Sequence, residues 1–134
     1  MKMNDILQFL RDNPTFYIAT MDGDQPRVRP FGAITEFEGK LYLVTANNKN
    51  VYKQLKANPK FELSITAANG MDWIRIEAKA EFDSRKEVKV KMLADNSNLE
   101  GLYSPDDNIM EVFYMKDAVA TFYSFTAEPK TVKF

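Results

Sequence analysis

The sequence predicts an α+β protein, a small antiparallel β-barrel of six or seven strands carrying about three short helices. Three observations predict it. Seven short runs between Thr15 and Phe125 are rich in β-branched and aromatic residues, and several alternate apolar with polar positions. Turn signals at Asp22-Gly23-Asp24, Glu38-Gly39 and Asn69-Gly70 join successive runs, and short hairpins impose antiparallel pairing. Ten Phe, six Tyr and one Trp in 134 residues favour pleated structure or a stacking surface.

Taken in order, Asn4 is placed to cap a first helix whose apolar side is Ile6, Leu7 and Leu10, and Asn13-Pro14 ends it. Strands follow over 15–21 and from Gln25 to about Glu36. In the second of these Arg27, Arg29 and Phe31 share one side while Val28, Pro30 and Gly32 share the other. Pro30 lacks a ladder donor and marks an edge or opening of the sheet, and Gly32 admits close approach to the backbone. A third strand spans Lys40–Ala46. Asn48 is the expected cap of a helix through Ala57, with Val51, Tyr52 and Leu55 inward. Strands over 61–67 and 72–82 come next, the latter presenting Trp73, Arg75, Glu77 and Lys79 on one face. Ser84 and Glu87 have capping-box spacing ahead of a third helix that buries Val88, Met92 and Leu93. After a polar loop, two strands over 110–115 and 119–125 are expected to form a hairpin at Lys116-Asp117, with a loosely packed basic tail behind them.

Composition restricts the chemistry. At 134 residues, with no linker or repeat, residues 1–134 read as a single domain. A formal charge of −1 argues against a dedicated nucleic-acid binder. The absence of Cys and His excludes disulfides, thiolate or imidazole metal sites and the serine–histidine triad. No metal site is expected. The acidic run Asp106-Asp107 with Glu111 lacks calcium-loop spacing and reads as a solvent loop. The N-terminus, Met1 to Ile6, lacks the apolar core of a secretory leader, and no run reaches membrane-spanning length, so a cytoplasmic, soluble protein with no membrane partner is expected.

One constellation stands out: Arg27 and Arg29 on one strand face, with Lys49, Asn50 and Lys53 at a helix start. Helix N-termini present unpaired N–H groups and partial positive charge, and guanidinium groups bind phosphate bidentately. Together they suit a flat, phosphorylated anion; read blandly, they are solvated arginines beside an ordinary helix. Trp73, with Arg75 on the same face, is either an aromatic wall for a ring ligand or an interface aromatic.

The ordered blocks Phe16-Tyr17-Ile18-Ala19-Thr20, Arg27-Val28-Arg29-Pro30-Phe31, Leu41-Tyr42-Leu43-Val44-Thr45, Val51-Tyr52-Lys53-Gln54-Leu55 and Trp73-Ile74-Arg75-Ile76-Glu77-Ala78 resemble the pyridoxamine 5′-phosphate oxidase-like family of FMN-binding split barrels. The chain looks most like its short nitroimidazole-reductase and general-stress groups. The resemblance implies a split barrel that forms a homodimer with FMN at the interface between barrels. It implies Arg27 at the FMN phosphate, the backbone of Val28, Arg29, Pro30, Phe31 and Gly32 along the isoalloxazine, and Val44 and Thr45 at the ring edge or ribityl chain. It further implies Lys49 and Asn50 at the phosphate and Trp73 in a ring-contacting position. The family's Ser-Arg-Lys is here Lys49-Asn50-Val51, which exchanges one basic residue for another. The C-terminal Arg and His motif of the oxidase proper is absent, so pyridoxamine phosphate oxidation itself is not expected.

The expected function is therefore an FMN-dependent oxidoreductase that carries electrons from a reduced nicotinamide to a small acceptor, with Arg29 stabilising negative charge on the reduced ring and no catalytic side chain assigned. The alternative is a split barrel that stores or senses a flavin without turnover. An oligonucleotide-binding barrel is disfavoured by the lack of clustered basic strand positions.

Overall fold

Helix α1 (Met3–Asp12) leads into a hairpin of β1 (Phe16–Asp22) and β2 (Gln25–Phe31) in a computed structural model that describes residues 2–134. Met1, the first residue of the N-terminal stretch judged above for a leader, lies outside the described residues. A short strand β3 (Thr35–Phe37) pairs with β4 (Lys40–Ala46), and α2 (Asn50–Ala57) follows. Then come β5 (Lys60–Thr66), β6 (Trp73–Asp83), α3 (Lys86–Asp95), a 3-10 turn at Ser97–Leu99, β7 (Met110–Tyr123) and β8 (Lys130–Lys133). All pairings are antiparallel, in the order β2-β1-β5-β6-β7-β4-β3 with β8 added against β7. This is an α+β split barrel with eight strands rather than six or seven.

The count rises because the expected strand from Gln25 to Glu36 divides into β2 and β3; in the C-terminal third the expected hairpin is absent, its two strands merging while the tail adds β8. Residues 110–123 form one continuous strand, and both of its halves pair with β6. The register slips by one residue between Glu77/Lys79 and the facing Lys116–Val119 segment, and Asp117 sits there with φ 52°. A single left-handed residue with a one-residue slip makes a bulge, whereas a type I′ hairpin turn needs two left-handed residues in succession and a type II′ turn favours glycine at its first position. The bulge bends β7, so its first half pairs with β4 and its second half with β8. The tail thus joins the sheet instead of packing loosely, and Phe134 exchanges two 2.9 Å backbone hydrogen bonds with Ala118.

Four further expectations shift. The second strand stops at Phe31 instead of Glu36, because Pro30 and Gly32 interrupt the ladder and pairing resumes only at Thr35. The caps are Lys2, Lys49 and Arg85 rather than Asn4, Asn48 and Ser84, and none of the three makes a side-chain capping bond. Asp5 accepts the Lys2 N–H at 2.7 Å, and Asp83 accepts the Arg85 N–H at 3.0 Å, so neighbouring carboxylates take over that work.

Two cores result. Alternation on β1, β5 and β6 sends Phe16, Ile18, Leu63, Ile65, Ile74 and Ile76 inward, where they meet Phe113 and are closed off by α1 and α2. Strand β4 is buried on both faces. Leu41 and Leu43 join this first core, while Tyr42 and Val44 join a second one under α3 with Val88, Met92, Leu99 and Val112. Tyr42, Phe16 and Phe113 are the largest fully buried side chains, set among Ile and Leu; losing a buried aromatic typically costs about 3–5 kcal/mol. Phe113 packs on Phe61 and Phe82 with ring centroids 5.8 and 5.2 Å apart.

Tyr42 is the one phenol in the fully buried set, and its hydroxyl donates to Asp83 Oδ2 at 2.8 Å. Arg85 grips the same carboxylate through Nε and Nη2, at 3.1 and 2.8 Å, and reaches Glu38 at 2.5 Å. The Arg85 hydrogen bond holds the Asp83 carboxyl well below the usual carboxylate range, against the opposing effect of burial. Burial, reinforced by Asp83, pushes the Tyr42 phenol from 10.0 to about 12. A raised phenol stabilises the fold fully below pH 10 and loses that contribution as pH climbs through about 12. Asp83 acts with the opposite sign, stabilising above its ordinary value of 3.8 and failing in acid. Tyr42→Phe is expected to cost about 1–2 kcal/mol at neutral pH. Its deficit against the parent should shrink across the pH 10–12 window in urea melts; a deficit independent of pH there would contradict this role.

Candidate ligand-binding site

Strand β2 is an edge strand paired only with β1, and its alternation decides what each residue of the Arg27–Gly32 run can do. Arg27, Arg29 and Phe31 stand opposite Thr20, Ile18 and Phe16, so they face the barrel interior. Phe31 closes on Phe16 at 6.3 Å between centroids. Val28, 68% exposed, and Pro30 face out. Arg27 lies at the open end near the hairpin turn and pairs with Asp22 at 3.3 Å. Gly32 follows the strand; a Cβ there would sit 3.5 Å from the Pro14 carbonyl, an ordinary contact, so packing within the chain does not itself demand glycine.

Arg29 turns under β1 toward α2. Its Nη1 donates to Thr20 Oγ1 at 2.8 Å and to the Ile18 carbonyl at 3.2 Å, and its Nη2 donates to Gln54 Oε1 at 2.8 Å. Thr20 donates in turn to Gln54 Oε1 at 2.6 Å. All of these acceptors are neutral, and among the described residues no carboxylate pairs with Arg29. Burial lowers its pKa from 12.5, but a guanidinium stays protonated in proteins, so a full positive charge stands at the junction of β1, β2 and α2 with no carboxylate partner among the described residues. A half-buried charge of this kind is costly unless an anion answers it.

The other half of the site is the step from β4 into α2. Val44 fills the second core, and Thr45 is 3% exposed. Thr45 Oγ1 is the buried side-chain polar atom that has no hydrogen-bond partner among the described residues. Natural proteins rarely leave such a group unsatisfied, because the desolvation is not recovered. Asn47 ties the step down, its N–H donating to the Ile109 carbonyl at 2.9 Å and its amide to the Asn108 carbonyl at 2.8 Å. Lys49 and Asn50 then begin α2, both exposed. No side chain caps this helix and no acid occupies its first turn, which begins after Lys49 and carries Lys53, so its first N–H groups are left without a side-chain acceptor among the described residues.

Arg29 thus meets α2 through Gln54 in its second turn, whereas the sequence pattern pointed to the helix start at Lys49 and Asn50, and Arg27 pairs with Asp22. Trp73 is not part of that assembly within one chain. It stands on the outer face of β6, stacked on Tyr123 at 5.2 Å and 10°, with the 74%-exposed Phe125 at 5.8 Å. This shelf borders a hollow of about 350 Å³ that Phe9 and Phe122 also line. Sequence reasoning missed Thr20 and Gln54. Thr20 carried a signal, a polar residue in register with the inward Phe16 and Ile18; Gln54 carried none.

What the assembly can do is hold an anion through helix N–H groups and cations, and satisfy a polar ring or polyol edge through Thr45. Such a donor set matches a phosphorylated planar ligand.

Comparison with known proteins agrees with the architecture. The sequence model described as pyridoxamine 5′-phosphate oxidase matches residues 4–114. A NimC/NimA family protein from Clostridium acetobutylicum is 44% identical, with a TM-score of 0.94 over 98% of this chain and 92% of that one. General stress protein 26 from Bacillus anthracis superposes with a TM-score of 0.76 at 19% identity, over 98% and 97% of the two chains. A pyridoxamine 5′-phosphate oxidase-related, FMN-binding protein from Nostoc punctiforme gives 0.69 at 12% identity, over 98% and 95%. No curated protein matches the sequence. On the family match across most of its length and the 44% identical relative, the chain belongs to the pyridoxamine 5′-phosphate oxidase-like family.

Proposed function

We propose that this protein binds FMN at the junction of β2, β4 and α2 and acts as an oxidoreductase that passes electrons from a reduced nicotinamide to a small acceptor. The observation that carries the reading is the buried, unpartnered hydroxyl of Thr45, one turn of chain ahead of a helix N-terminus that has no cap and no acid. The family membership and the FMN-binding relative from Nostoc support the same ligand. Bound FMN would supply the hydride chemistry, which needs neither His nor Cys from the protein.

In this reading Lys49, Asn50 and the first N–H groups of α2 hold the phosphate, and Arg27 leaves Asp22 to join them. Thr45 and Val44 meet the ribityl chain or ring edge. The backbone from Val28 through Pro30 and Phe31 to Gly32 lies along the isoalloxazine. Arg29 does not reach the ring directly; fixed by Thr20 and Gln54, it sets a positive potential beneath it, which favours a reduced, anionic ring. Trp73, on the outer surface with Tyr123 and Phe125, would reach a flavin held by a second copy of the chain, so the working unit is a homodimer with its cofactors at the interface. A cytoplasmic setting suits a thiol-free nicotinamide-dependent protein.

A flavin carrier or sensor without turnover is the second reading. It is favoured by the capture of Arg29 in a network with Thr20 and Gln54, which commits that cation to holding the scaffold instead of meeting a substrate. Anaerobic mixing of the FMN-loaded protein with NADH or NADPH separates the two. Bleaching of the flavin band within seconds supports the oxidoreductase, and a band unchanged by either nucleotide supports the carrier.

Two substitutions test the ligand placement. Thr45→Val removes the orphaned hydroxyl. The apoprotein should gain about 1 kcal/mol or stay unchanged in stability, while FMN binding weakens about tenfold. Lower apoprotein stability with unchanged FMN affinity would contradict the assignment. Arg27→Ala should weaken FMN by about 1.5–3 kcal/mol through loss of a charge-assisted contact, read by fluorescence titration; an unchanged Kd removes Arg27 from the phosphate site.

A further inference from the structure

The segment between β2 and β3, Gly32 to Ile34, has no strand partner; Gly32 is exposed, but Ala33 and Ile34 are buried, Ala33 in the second core and Ile34 in the first. A buried backbone without a ladder must find its hydrogen bonds elsewhere. It finds them at the C-terminal end of α3. The side-chain amide of Asn96, the residue that ends the helix, addresses both backbone groups of Ile34. Its Nδ2 donates to the Ile34 carbonyl at 3.0 Å, and its Oδ1 accepts the Ile34 N–H at 3.3 Å. The same Nδ2 donates to the Met92 carbonyl at 2.9 Å, which fixes the amide to its own helix. One side chain therefore stands in for a neighbouring strand.

The adjacent residues repeat the connection. Thr35, fully buried, donates to Asp95, and Lys91 reaches both Asp95 and Thr35, at 2.5 and 3.3 Å. Asn98 Nδ2 would lie 3.8 Å from a Cβ at Gly32. The end of α3 thus holds Ile34 and Thr35 by hydrogen bonds, Ala33 is held by packing, and Gly32 has no side-chain bond of its own.

We infer that Asn96 is a positioning residue for the flavin-lining backbone, setting the path of Pro30 to Gly32 by clamping Ile34 two residues downstream. The inference rests on the FMN reading above. Pro30 and Phe31 are paired with β1 and Phe31 packs on Phe16, whereas Gly32 carries no side chain to anchor it, so the step from Phe31 to Ile34 is restrained from its two ends. Paired β2 residues hold one end and Asn96 holds the other. Losing Asn96 leaves both Ile34 backbone groups buried and unpaired, and the cheapest relief is for the connection to peel toward water, taking Gly32 with it.

The test compares Asn96→Ala with the parent and with Tyr42→Phe, a destabilised control whose lost bond lies at Asp83. Hydrogen exchange at Gly32–Thr35 should quicken about tenfold in Asn96→Ala and not in the control. In the FMN-loaded proteins Asn96→Ala should raise the FMN Kd about tenfold and shift the visible flavin band, while the control keeps the parental band. Asn96→Asp, which retains the acceptor but not the donor, should fall between. If the parent binds FMN and Asn96→Ala matches it in Kd, band position and loop exchange, the inference is overturned and the FMN reading stands. A parent that binds no FMN overturns both.

Discussion

The long strand β7 is the constraint on which the rest of the molecule depends. It must stay paired with β6 over nearly its whole length while changing its other neighbour from β4 to β8. A flat strand cannot do this, because its two edges would keep the same partners from end to end. The one-residue bulge at Asp117 bends the strand and resets its register, and Lys79 stands 3.9 Å from the Asp117 carboxylate at that point. The sheet therefore curls without closing, and one barrel becomes two unequal cores on either side of β4.

That division places the candidate site. Because β4 is covered on both faces, its C-terminal end delivers Thr45 into a dry environment and then releases the chain into α2 at the surface. Because β2 is an edge, its outer backbone remains free to meet a ligand, and Arg29 reaches the helix while Arg27 stays at the open end with Asp22. The site is a seam between an edge strand and a helix start, with the Thr45 hydroxyl unpaired among the described residues, Arg29 bound only to neutral acceptors and Arg27 held by Asp22. Its chemistry is that of recognition. Any redox work belongs to a bound cofactor, and the protein's share is orientation and a positive field.

Much of this was legible from residues. Lys40–Ala46 was bounded correctly, since a solid apolar run between Glu38-Gly39 and an Asn cluster admits few alternatives. The alternation of β6 and the shared face of Arg27 and Arg29 also followed from period two. The continuity of β7 did not. Lys116-Asp117 looks like a turn locally, and only the long-range demand that both halves pair with β6 makes it a bulge. Helix caps were misplaced because side-chain preference at a cap is weak beside a nearby carboxylate that can do the same job, as Asp5 and Asp83 do. The partner of Arg29 was hidden for a different reason: Gln54 is 25 residues away, and nothing in a helix pattern says which polar residue will turn inward.

The central claim is that the seam recognises a phosphate as well as a flat ring. Calorimetric titration of the apoprotein with FMN and, separately, with riboflavin compares ligands that differ only in that phosphate. The account predicts that FMN binds about a hundredfold more tightly, about 2.7 kcal/mol, at low salt. Equal affinity for the two would contradict it.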